Sequence, residues 1–167
     1  KLNVFKTITL ALGCAALAMA STPADASVIK AHAGTTFTLT SVPGSPTEFT
    51  HTADGVVRVS LLGNCTVNFD VIVVAPKTPI DPFTLLGTLR ITSADGTTTL
   101  NADVVGTATG DPANANFLNF HYDVKFTGGT GTMAHARGKA DIDGFGMFTS
   151  PTTGTATWSL QGKVATH

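Results

Sequence analysis

Over most of its length the chain alternates apolar and polar residues with a period of two, a pattern that only extended segments use to separate a buried face from a wet one. The clearest case runs from Phe117 to Phe126: Leu118, Phe120, Tyr122, Val124 and Phe126 share one face, and Asn119, His121, Asp123 and Lys125 share the other. Val57, Val59 and Leu61 likewise alternate with Arg58, Ser60 and Leu62, and Val67, Phe69, Val71 and Val73 with Thr66, Asn68, Asp70 and Ile72. The alternation resumes over Leu85 to Thr92, at Leu100, Ala102 and Val104, and at Ala156, Trp158, Leu160, Gly162 and Val164. Phe37 to Thr40 adds a short strand, and Glu48 to Thr52 reads as an edge strand.

Turn residues punctuate these segments. Ser27 to Thr36 reads as a polar lead-in, Val42 to Pro46 as a loop, and Asp54-Gly55 as a break. Ala75 to Phe83 holds three prolines, each lacking a backbone donor, so it is an extended loop. Ser93-Ala94-Asp95-Gly96 carries the Asp-Gly signal of a tight hairpin, and Thr109 to Asn116 reads as a second loop. Eight or nine strands and no convincing helix leave two architectures, a closed barrel or a two-sheet sandwich. A long run of consecutive hairpins favours an antiparallel up-and-down barrel, because a sandwich usually needs Greek-key crossovers.

Composition changes this picture at the N-terminus. Lys1 and Lys6 precede an apolar run from Ile8 to Ala20, and small residues follow, the pattern of a secretory signal peptide. Of two cleavage sites, after Ala20 or after Ala26, the second is preferred because Pro23 breaks the helix just ahead of it. Residues 1–26 are then the signal peptide and residues 27–167 one domain, secreted or periplasmic. No later stretch approaches the roughly 20 apolar residues of a membrane-spanning helix. Cys65 is the one cysteine left, so the domain relies on packing rather than on an internal disulfide, and Cys65 reads as a buried or half-buried strand residue, with an intermolecular bridge or a reactive thiol as the alternative. Net charge is -1, and no basic cluster offers a surface to nucleic acid.

Two constellations invite chemistry. Gly129-Thr130-Gly131-Thr132-Met133-Ala134 matches a dinucleotide fingerprint and follows a strand, but that site needs a helix next, inside a parallel βαβ unit. Arg137 to Ile142 returns as a strand instead, so the glycines are read as a corner. His121 and Asp123 lie two apart on one strand face and are the residue types that ligate a metal or share a proton. Lys125 and Arg137 oppose a cation there, and the row reads as the solvent face of a hairpin, with Asp123 paired to a neighbouring cation. No metal, cofactor or catalytic residue is assigned.

The segment Phe126 to Ile142, FTGGTGTMAHARGKADI, resembles the allene oxide cyclase and dirigent-like barrel superfamily. There a strand ends in a Gly-Gly-Thr/Ser-Gly corner, followed by a short apolar-centred turn and a glycine that starts the next strand. Gly128, Gly129, Thr130, Gly131, Met133, Ala136 and Gly138 occupy those positions, and the resemblance extends over Leu85 to Val164. It implies an eight-stranded antiparallel barrel of calycin type.

Three functions follow as expectations. The first is binding of a small apolar molecule in or at the mouth of the barrel, with Phe69, Phe120, Tyr122, Phe126 and Trp158 lining it. The second is a structural or surface protein that self-assembles outside the cell, its lead-in from Ser27 adding to a neighbour's sheet edge. The third is a cyclase-like or dirigent-like enzyme, which requires a buried polar group inside the barrel.

Overall fold

A computed structural model describes residues 25–78 and 80–166. The signal peptide read into residues 1–26 lies outside them except for its last two residues. Eight strands follow one another: β1 (Ser27–Ser41), β2 (Glu48–Val59), β3 (Gly63–Val74), β4 (Phe83–Ser93), β5 (Thr99–Asp111), β6 (Asn114–Gly129), β7 (Arg137–Phe148) and β8 (Thr153–Ala165). Each pairs antiparallel with its neighbours in sequence, and β1 also pairs with β8, so the sheet is a closed barrel and not a sandwich. Ala33 shows the closure directly, facing Val57 of β2 on one side and Trp158 of β8 on the other.

Closure corrects four local readings. Ser27 to Thr36 is no lead-in: it forms most of β1, with Ile29, Ala31, Ala33 and Thr35 buried inside the barrel. Small inward residues weakened its hydrophobic signal, and only pairing on both sides makes it a strand. Nor is Glu48 to Thr52 an edge, because Phe49 faces both Ser41 and Val73. Asp54-Gly55 does not break β2. Gly55 sits in mid-strand where the β1 backbone comes close: a Cβ there would run into the Gly34 carbonyl and lie 2.8 Å from Thr35 Cγ2. Finally, the loop expected over Thr109 to Asn116 shrinks to the turn at Pro112-Ala113 between β5 and β6.

Strand direction puts two kinds of end on the barrel. At one end lie the turns β2–β3, β4–β5 and β6–β7, and at the other lie β1–β2, β3–β4, β5–β6 and β7–β8. The first end is sealed. Ile29, Val59, Val67, Ile91, Leu100, Phe126, Ile142 and Leu160 fill it, each no more than 1% exposed. The glycine-rich corner closes it. Gly128, Gly131 and Gly138 take φ of 122°, 58° and 145°, backbone that side chains rarely adopt. Thr130 ties the corner to β5: its backbone N–H donates to the Thr99 carbonyl (3.0 Å) and its hydroxyl accepts from the Thr99 N–H (3.0 Å). A single 3-10 turn, Gly131–Met133, then tucks Met133 and Ala136 into the barrel.

Candidate functional site

The other end is open. There small residues, Ala53, Ala108, Gly110, Ala115, Gly146 and Ala156, stand among the aromatic and aliphatic ones. The missing side-chain volume leaves a cup of about 360 Å³, within the range of small-molecule sites. Phe69, Tyr122 and Trp158 are its deepest aromatic residues. The Phe69 ring stacks on Tyr122 at 5.9 Å and meets Trp158 edge-on at 5.5 Å, geometries that suit the ring quadrupoles. Higher up, Phe37 packs edge-on against Phe148 at 5.1 Å, and Phe49, Phe83, Phe117 and Pro151 ring the mouth.

Glycines make room for the rings. Gly144 lies on β7 between Phe120 of β6 and Trp158 of β8, its direct partners in the sheet. Gly106 likewise faces Tyr122, and Gly154 faces Phe37. A Cβ on Gly106 would lie 2.8 Å from Tyr122 Cδ1, and one on Gly154 would lie 2.7 Å from Phe37 Cε1. The large side chains therefore lean over bare backbone, which fixes their positions without filling the cup.

Four of the five residues expected to line the interior do line this cup: Phe69, Phe120, Tyr122 and Trp158. Phe126 does not. It has the same inward parity but lies further along β6, in the sealed half, where it is 1% exposed. Periodicity assigns a face and says nothing about depth along the barrel axis, so the two halves looked alike. The corner glycines Gly128, Gly129, Gly131 and Gly138 stand at the opposite end from the cup. Gly129 needs its missing side chain for another reason, since a Cβ would run into the Thr99 carbonyl.

His51 is the residue that sequence reasoning missed. Taken as part of an edge strand, it in fact projects into the cup, 5.4 Å from the Phe37 ring. Its Nδ1 is buried without a hydrogen-bond partner, as is Nε1 of Trp158. Burial lowers the His51 pKa to about 4, so the imidazole is neutral at physiological pH. Burial also raises the Tyr122 phenol well above its ordinary value. Among the described residues the cup is therefore uncharged, with His51, Tyr122, Thr35 and the indole N–H of Trp158 as its polar side-chain groups. One signal in the sequence pointed here: counted back by twos from Val59, Val57 and Ala53, position 51 faces inward.

The polar row on the outer wall differs from its expectation. His121, Asp123 and Lys125 do face solvent, but the residue opposite Asp123 is Asp141, not a cation. His121 Nδ1 lies 2.8 Å from Asp143 Oδ1, and this contact chiefly raises the histidine pKa. Ligand atoms of His121, Asp123 and Asp141 lie within 4.8 Å of one another. All three residues are exposed, and the next rung pairs Lys125 with Lys139.

Fold and site together define a closed eight-stranded barrel with one sealed end and one open, apolar cup. Compared with known proteins, the chain matches no family model, no curated protein and no solved structure. Among the described residues no helix is long and apolar enough to cross a membrane.

Proposed function

We propose that this protein binds a small apolar molecule in the open cup of the barrel and acts outside the cytoplasm, in a secreted or periplasmic setting. The observation that carries the reading is the asymmetry of the interior. One half is packed with large aliphatic side chains, whereas the other keeps about 360 Å³ behind a mouth of aromatic residues. A barrel needing only stability would fill both halves, since empty apolar space costs packing energy. Kinship with the allene oxide cyclase and dirigent-like barrels is part of the same proposal. It rests on the corner sequence from Gly128 to Gly138.

Trp158 is the single tryptophan and lines the cup, so its fluorescence reports occupancy directly. A panel of fatty acids and terpenoids should change that emission saturably. Ala156→Leu, which places a larger side chain in the cup, should abolish the change while the protein stays folded. Silence across the panel would remove the proposal.

Self-association is a second reading with an observation of its own. Ile72, Leu86 and Val105 face outward on β3, β4 and β5, directly paired with one another, and are 37%, 43% and 51% exposed. Such a contiguous apolar stripe suits a protein contact. Sedimentation at rising concentration decides it: a monomer throughout removes this reading. An enzymatic role is weaker, because an imidazole with a pKa near 4 is a poor base at neutral pH.

A further inference from the structure

Within the cup, the polar groups are few and their placement is selective. The inward residues next to His51 across the sheet are Leu39 on β1 and Val71 on β3, both apolar, and among the described residues Tyr122 is the only other ionisable side chain in the lining. Of the two imidazole nitrogens, Nδ1 is the one enclosed by protein without a partner. Nε2 is thus the nitrogen left to meet whatever occupies the cavity. A neutral imidazole presents at that position either an N–H or a lone pair, one polar atom facing the cup.

A single neutral polar atom in apolar surroundings selects sharply. A ligand hydroxyl can either donate to it or accept from it. A carboxylate would bring an uncompensated charge into a cavity with no cationic side chain among the described residues. A pure hydrocarbon leaves the nitrogen unsatisfied, and an unmet buried polar group is costly. An alkylammonium can donate but must shed its hydration with no counter-ion to meet it. Size sets a further limit: about 360 Å³ lies at the small end of small-molecule sites.

We propose that His51 is the specificity-determining residue of the cup and that its ligand is an uncharged alcohol, apolar over its body, whose single hydroxyl hydrogen-bonds to His51 Nε2. This rests on the cup being a binding site, and the experiment separates the two claims. Trp158 fluorescence titrations of the full domain at neutral pH compare 1-decanol, decanoate and decylammonium, three probes on one skeleton. Decanol should bind at least tenfold more tightly than either ion. His51→Phe should lower decanol affinity about tenfold, whereas His51→Gln, which keeps a hydrogen-bonding group on a flexible stem, should restore part of the preference. If decanoate or decylammonium binds as tightly as decanol, or if His51→Phe leaves decanol affinity unchanged in a folded protein, the role of His51 is wrong while the binding site stands. Saturable binding of none of the three removes both. As a check on the contact itself, decanol should move the His51 side-chain resonances and leave those of His121, on the outer wall, in place.

Discussion

Trp158 and Gly144 face each other across β7 and β8, and the Trp158 Cβ stands in the space that any side chain on Gly144 would need. A Cβ there would lie 2.7 Å from Trp158 Cβ and 2.5 Å from Phe120 Cζ, with the Thr157 carbonyl 2.6 Å away. The Thr157 backbone, the Phe120 ring and the root of the Trp158 side chain cannot all yield. Gly144→Ala should therefore destabilise the fold by about 1–3 kcal/mol, the usual cost of overpacking. It should also displace Trp158, changing its emission maximum in the native state. Urea unfolding followed by both fluorescence and circular dichroism tests the two effects separately.

His51 makes stability depend on pH in a defined window. Its folded pKa, about 4, lies below the ordinary 6.5, so the unfolded chain binds the proton more readily. The stabilisation from keeping it neutral is complete above 6.5, declines as pH falls, and is lost once pH passes through about 4. The difference amounts to about 3 kcal/mol at most. His51→Leu should flatten the stability profile across that window. At neutral pH it should also stabilise the protein by ~1 kcal/mol, because an unpartnered buried nitrogen is removed. Asp95 does not confuse the reading: hydrogen bonds from Ser93 and Thr97 hold its pKa near 2, below the window.

The outer-wall histidine titrates the opposite way. Asp143 accepts from His121 and raises its pKa, so any stability from the charged imidazole is present below the ordinary value and lost as pH rises through the folded one. Asp143→Asn should lower the His121 midpoint in an NMR titration and leave that of His51 unmoved. On the same wall, Asp123 and Asp141 are like charges directly opposite each other. Asp123→Asn should raise thermal stability slightly, by a few tenths of a kcal/mol at about neutral pH, and the gain should shrink as salt is added.

Cys65 is 2% exposed at the sealed end, and burial raises the pKa of its thiol. Alkylating reagents should therefore leave it unmodified in the native protein and react only as the domain opens. Labelling kinetics in increasing denaturant should track global unfolding. Rapid labelling in native buffer would contradict this placement.

How far the chain could be read depended on which residues carried the signal. β3, β4, β6 and β8 were legible because Val, Ile, Leu and Phe alternate with Thr, Asn and charged residues there. β1 was obscured because Ala31, Ala33 and Thr35 are too small or polar to announce a buried face. Their inwardness exists only because β2 and β8 close on either side. Phe126 and Trp158 carry the same alternation signal, yet one is locked in the sealed half and the other lines the cup. The sequence by itself determined the all-β class, the inward face of the long strands and the corner at Gly128 to Gly138, since a period of two and positive-φ glycines are local properties. Tertiary structure alone decided that the barrel is hollow at one end, and that His51 stands in that hollow with an unpartnered nitrogen. Volume and desolvation are sums over eight strands, and no single segment carries them.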